Sequence, residues 1–363
     1  MRPIATSNIG YPAVLASDVE QIYQVILKGS WKVSGCGLGQ GAFSSALFMS
    51  QYARMSKKVD LCTEIQELFD RGCNSVVSGR TGWLDFADLA LVAHKLHEQG
   101  FIQIEQGVFF EDIDKLALAA IGQPSQIAGF ENSDLGAALY AYRRFNNGAA
   151  HFSGPVREFA SALACGADPA FVGINRDGNE NLRTGLSAPL LFVAAAAEIG
   201  LVAKNEGVGG VGKLVDKICE NMYGLSNTHF NPGFLTGDLG KAYAMLRAGM
   251  CFQRDEWITA ALQILIDCAY SILDHGIGTL DMASGASGIA LAFHKLYHLI
   301  GYDIFRKAAS TARWLGLKAG VIIDDCYIDR GASFYHGLAG IGLSTLYWQH
   351  NRPEELDDFL WLL

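Results

Sequence analysis

Charge is scarce in this chain. Asp, Glu, Lys and Arg together make up 18% of its 363 residues, and no cluster of five or more Lys and Arg residues occurs. With a formal net charge of −9 the chain lacks a cationic footprint, which argues against nucleic acid or an anionic membrane surface as a partner. Cys-x-x-Cys is also missing. The eight cysteines (Cys36, Cys62, Cys73, Cys165, Cys219, Cys251, Cys268 and Cys326) are scattered, which excludes a local zinc knuckle and a dense disulfide framework. They are expected to be mostly buried thiols. The opening "MRPIATSNIGYPAV" lacks the apolar core of a signal peptide, so a cytoplasmic protein is expected. No clean membrane span is present either. The most apolar stretch, "GLSAPLLFVAAAAEIGLVA" (Gly185 to Ala203), contains Pro189 and Glu198 and is dominated by Ala, which predicts a buried helix.

What is abundant is apolar surface, at 50% of residues, together with glycine in a recurring place. In "HFNPGFLTGDLGKAYAMLRAG" (His229 to Gly249), Thr236 precedes Gly237, Gly240 follows three positions later, and a helical run of apolar residues comes next. The second small residue of this pattern recurs at Gly41, Gly82, Gly136, Ala188, Gly240, Gly288 and Gly340, at intervals of 41, 54, 52, 52, 48 and 52 residues. The clearest copies are "TGLSAPLLFV", "TGDLGKAYAML", "SGASGIALAF" and "HGLAGIGLSTL"; "CGLGQGAFSSALF" is loose, and "NSDLGAALY" has Ser133 in place of the first glycine.

A period of about fifty residues accommodates two helices and their connections. One carries the pattern. The other is amphipathic, with candidates "SDVEQIYQVILK" (Ser17 to Lys28), "ADLALVAHKLHEQ" (Ala87 to Gln99) and "EWITAALQILIDCAYSIL" (Glu256 to Leu273). Glycines three apart share one face of a first turn and allow neighbouring helix starts to approach closely. These features predict an all-α fold, a toroid of seven inner and seven outer helices, as one domain over residues 1–363. Ser78, Asn132, Thr184, Thr236, Ser284 and His336 precede the first glycine of units two to seven; all but His336 are preferred N-cap types and are expected to cap the inner helices.

Seven such units resemble the lanthionine synthetase C-like family, the α/α toroids that cyclise lanthipeptides. The segments that carry the resemblance are Ser78 to Gln103, Asn181 to Val193, Asn231 to Met245, Met282 to Phe293 and Phe334 to Trp348, in the family's order and spread over nearly the whole chain. The resemblance implies a zinc ion held by Cys of a W-C-x-G segment and by Cys and His of a C-H-G segment. Such a zinc makes a substrate thiolate that adds to a dehydrated residue. This chain departs at each position: Leu235 and Phe234 stand where the resemblance implies Cys and Trp, and Ala283 and Ser284 where it implies Cys and His. The family's acid/base histidine falls on Thr184 and its arginine on Asn231, although "GAAHFSGP" also offers His151 in a similar local context. The family's third-unit aspartate has no clear match near Glu131 and Asp134.

No metal and no cofactor are therefore expected. The candidate catalytic residues are His336, Asp238 and Thr184, with His336 as a relocated general base. Asn231, Phe234, Leu235, Thr236, Ser284 and Tyr335 are expected to line a central cavity. Cys36, at a helix head, is a further nucleophile if the amide dipoles depress its pKa. The first functional reading is a zinc-free, non-catalytic member that binds a precursor peptide, or a lanthipeptide dehydratase or cyclase. The second is a metal-independent thioether cyclase. A third is a carbohydrate-active α/α toroid, which needs a pair of carboxylates among Asp238, Asp281, Asp324 and Asp325 and finds few Trp residues for sugar stacking.

Overall fold

The computed structural model describes residues 15–29, 35–39, 41–78, 82–122, 130, 133–165, 185–203, 208–224, 231–318 and 333–356. The described residues are helical apart from short connections and one isolated bridge between Gly35 and Gly41. The helices are α1 (Leu15–Gly29), α2 (Ala42–Ser56), α3 (Cys62–Ser78), α4 (Trp83–Glu98), α5 (Gln106–Phe109), α6 (Glu111–Gly122), α7 (Asp134–Asn146) and α8 (Ser153–Cys165). They continue as α9 (Ser187–Glu198), α10 (Val208–Gly224), α11 (Asp238–Phe252), α12 (Asp255–His275), α13 (Ala286–Ile300), α14 (Asp303–Lys318) and α15 (Leu338–Gln349).

Two layers follow from the burial pattern. Helix α9 is buried from Ser187 through Ala197 and α2 from Ala42 through Ala53, so neither has a solvent face. A helix apolar all round needs neighbours on every side. Helix α12 instead buries Trp257, Ala261, Ile264, Leu265, Cys268, Ala269 and Ile272, a single stripe at helical spacing. The inner ring consists of α2, α4, α7, α9, α11, α13 and α15; α1, α3, α6, α8, α10, α12 and α14 pack around it. Helix α15 lies against both α13 and α2, which closes the ring, and α1 packs over α15 at the junction. The all-α toroid expected from the repeat is the observed fold. Among the described residues, α12 is by length and composition long and apolar enough to cross a membrane; in this fold its apolar stripe packs on α11 and it also contacts α14.

Two expectations are corrected. The segment Ala87 to Gln99, read as an outer helix, belongs to inner helix α4, and the outer partner of α7 is α6. Its heavily buried face shows why: Leu84, Ala87, Asp88, Leu89, Ala90, Leu91, Val92, Ala93 and Leu96 are all inside. The expected N-caps also shift. Gly237, Gly285 and Gly337 are themselves the N-caps of α11, α13 and α15, one residue after Thr236, Ser284 and His336. Ser78 ends outer helix α3, and Asn132 and Thr184 lie outside the described residues. Ser133, standing in place of a glycine, does cap α7, its hydroxyl accepting from Leu135 N at 3.2 Å.

Main-chain carbonyls do much of the capping elsewhere, which explains the paired glycines. In unit six Ala286 N donates to Thr279 O (2.9 Å) and Ser287 N to Leu280 O (3.3 Å), so the preceding loop is pressed against the first turn. A Cβ at Gly285 would collide with the backbone of Thr279 and Asp281, and one at Gly288 with the Met282 carbonyl. The same relation sets Phe334 O against Gly340 and Phe130 O against Gly136. Gly288→Ala is therefore expected to destabilise the protein by about 2 kcal/mol, because the obstacle is backbone and cannot swing aside. Gly107→Ala in α5, where a Cβ meets nothing within 4 Å and no proline follows, is the control and should be neutral or mildly stabilising. Denaturant unfolding of the two variants checks the contrast.

Candidate functional site at the inner-helix heads

The loops that precede the inner helices are tied to one another by their backbones. Leu235 N donates to Ala283 O (2.7 Å), Met282 N and Ala283 N both donate to Tyr335 O (3.0 Å each), and Phe334 N donates to Leu38 O (2.8 Å). Leu38 N donates in turn to Asp88 Oδ2 at 3.0 Å. Heads five, six, seven, one and two thus form a chain of contacts on one end of the ring. Ser44 reinforces the closure, its hydroxyl donating to Leu38 O (2.7 Å) and accepting from Phe334 N (3.2 Å).

This ring brings together the positions that the family resemblance singled out. The Leu235 and Ala283 backbones touch, and one residue further along each chain Thr236 Oγ1 and Ser284 Oγ share a hydrogen bond of 2.7 Å. His336, half-buried, follows the carbonyl that receives Met282 and Ala283, and its backbone N–H donates to Ser333 Oγ at 3.0 Å. Ser284 N is held by Asp281 Oδ1 at 2.8 Å.

Several expected roles need correction. Phe234, Leu235 and Tyr335 have essentially no accessible surface and are packed core rather than lining; Phe234 sits edge-on to Tyr243 with ring centroids 5.9 Å apart. Apolar rings at a tightly bonded head are sealed by the loops above them. The accessible members are Asn231 and Thr236, with Ser284 and His336 half-buried. Asp238 is committed to its own loop, accepting from Asn231 N (2.9 Å) and pairing with Lys241 (3.1 Å), so it is not poised as a catalytic carboxylate. Asn231 Oδ1 accepts from Gly233 N at 3.0 Å, another loop-forming bond. Asp281 is buried with its carboxylate on Ser284 N; Asp324 and Asp325, like Thr184, Glu131 and Cys326, lie outside the described residues.

His151 is far from this arrangement in topology. It follows the C-terminal end of α7, packs at a tilt against the Phe152 ring and reaches Asp114 at 3.5 Å, at the opposite end of the inner helix from its head. Cys36 is at a head, but burial first and the Asp85 charge second push its thiol up to about 11. That is opposite to activation. On iodoacetamide treatment of the native protein at pH 8, peptide mapping should find exposed Cys62 and Cys165 alkylated well before Cys36.

The residue that composition-level reading missed is Asp88. It is wholly buried in α4, its Oδ1 accepts from Arg143 Nη1 of α7 at 3.2 Å, and desolvation, only partly offset by Arg143, pushes its carboxyl up to about 6. Its signal was a lone acid inside the apolar run "LDFADLALVA". A second acid there, Asp85, closes a capping box on Gly82 N at 3.1 Å.

The donor chemistry can now be compared with a zinc site. Zinc needs thiolate, imidazole or carboxylate ligands in near-tetrahedral array. Leu235 and Ala283 present hydrocarbon and Ser284 a neutral hydroxyl engaged with Thr236, so these side chains do not fit the ion. Among the described residues, no group of three or more His, Cys, Asp or Glu side chains is arranged to hold a metal.

A closed ring of helix pairs whose glycine-headed inner helices converge at one end defines an α/α toroid. The model of the lanthionine synthetase C-like protein family matches residues 177–360, just over half of the chain, and the chain belongs to that family. Among solved structures it is similar to a nisin cyclase, with a TM-score of 0.70 and 15% sequence identity, covering 97% of this chain and 98% of that one. At that identity the likeness speaks for the fold. Comparison with curated protein sequences gives no match.

Proposed function

We propose that this chain is a zinc-free, non-catalytic lanthionine synthetase C-like protein that works in lanthipeptide maturation by binding a precursor peptide or a partner dehydratase or cyclase. In this reading residues 1–363 act as one toroid domain in the cytoplasm. The observation that carries it is the juxtaposition of positions 235, 283 and 284, with Leu235 N on Ala283 O at 2.7 Å, in a frame whose ligand side chains are Leu, Ala and Ser. The scaffold is retained while the chemistry that would activate a thiol is missing. Family membership and the likeness to nisin cyclase support the choice of pathway.

The test uses a leader-bearing precursor peptide in its dehydrated form, with free cysteines, and a purified dehydratase. Saturable binding of the peptide or the dehydratase, with the peptide's free thiol count unchanged after prolonged incubation, is the expected result. Loss of thiols with thioether formation would instead establish a metal-independent cyclase working through the Thr236, Ser284 and His336 end of the ring. Failure to bind either partner would overturn the proposal.

A further inference from the structure

Away from the heads, α13 carries a second feature that the proposed function does not use. His294 and His298 are one turn apart on the same face, with ring centroids 4.5 Å apart and planes at 72°. They lie near the C-terminal end of α13, with His298 about 18 Å along the axis from the helix start. His294 is half-buried and His298 exposed. Trp348 of α15 meets His294 edge-on with centroids 4.9 Å apart, and the Arg313 guanidinium of α14 lies 4.8 Å over the indole.

We propose that His294 and His298 form a two-imidazole chelate for a late first-row divalent cation such as Ni2+, Cu2+ or Zn2+. Two histidines four apart on a helix point their rings to one side, and imidazole is a preferred ligand for these ions. Trp348 holds the His294 ring edge-on, while His298, exposed at the surface, can turn its nitrogen toward an ion shared with His294. Arg313 and Lys295 lie close enough to act on His294 electrostatically. The same cationic neighbours temper affinity, and the remaining coordination positions fall to water, so this is an exchangeable surface site. It is independent of the head positions and of the proposed function.

Trp348 gives the site its own reporter. Untagged full-length protein titrated with Ni2+ is expected to show saturable quenching of tryptophan emission, with one ion bound by calorimetry. His298→Ala, at an exposed position that leaves packing intact, should weaken binding about tenfold or more. Trp348→Phe should keep the affinity and lose the quenched component. His275→Ala, on α12, should leave both unchanged. Unaltered Ni2+ affinity in His298→Ala, or quenching that persists in Trp348→Phe, would overturn the assignment; His294→Gln is a second variant that must weaken binding in parallel.

Discussion

Replacing Asp88 with alanine is expected to destabilise the fold by about 4 kcal/mol, because the change leaves the buried Arg143 guanidinium without its carboxylate. Asp88 and Arg143 are 1% and 5% exposed, 3.2 Å apart, and join inner helices α4 and α7. The other carboxylate oxygen holds Leu38 N at 3.0 Å, and Leu38 O holds Phe334 N at 2.8 Å, so the same side chain anchors the loop that receives the last unit. At roughly 2.1 cal/mol/K of unfolding entropy per residue, a chain of 363 residues should lose about 5 °C in Tm.

Partial substitutions separate the contributions. Asp88→Asn keeps an acceptor for Leu38 N and is expected to cost about half as much. Combining Asp88→Ala with Arg143→Leu should recover part of the loss, since a buried pair often exchanges for hydrocarbon with little penalty. Because burial raises the folded pKa to about 6, above the ordinary 3.8, folding is favoured by protonation of this group. This proton-linked increment is full below the unfolded pKa and is lost as pH rises through 6, above which the bonds to Arg143 and Leu38 remain. The Asp88→Asn variant should flatten that part of the stability curve. An Asp88→Ala protein within 1 kcal/mol of the parent in urea unfolding would show that the pair does not anchor the ring.

Restoring zinc ligands at the heads is expected to give a larger effect still. In the triple variant Leu235→Cys, Ala283→Cys, Ser284→His, the scaffold already brings the three positions together, as the Leu235 N to Ala283 O bond and the 2.7 Å contact between Thr236 and Ser284 require. Loss of the packed Leu235 side chain costs about 3 kcal/mol. A zinc ion bound by two thiolates and an imidazole returns on the order of 10 kcal/mol of binding free energy, more than enough to offset it. The variant should therefore be less stable than the parent with chelator present and more stable with zinc. Cobalt substitution should add the thiolate charge-transfer absorption of a tetrahedral sulfur site. A folded triple variant that takes up no ion would mean that these positions do not converge.

The architecture was legible because the inner-helix heads repeat a physical demand. Where a loop carbonyl presses on the first turn, as Met282 O does on Gly288 and Phe334 O on Gly340, only a residue without a side chain fits, and the sequence records it at a fixed interval. Register was less legible. Gly41 and Gly82 are N-caps, whereas Gly240, Gly288 and Gly340 are third residues of their helices, so one marker stood for two structural places. The caps are not legible because backbone carbonyls do work usually attributed to Ser and Thr, which leaves Thr236 and Ser284 to bond each other. His151 had the right local context at the wrong end of a helix, which only chain topology reveals. Asp88 gave a weak signal because its partners, Leu38 and Arg143, are 50 and 55 residues away.

The most direct measurement is the zinc content of the purified native chain, taken in a His294→Gln, His298→Ala background so that the α13 site contributes nothing. After dialysis against a mild chelator the account predicts far less than one zinc ion per chain, rising to one when the three head ligands are installed. One tightly held zinc ion per chain in the protein with Leu235, Ala283 and Ser284 unchanged would contradict it.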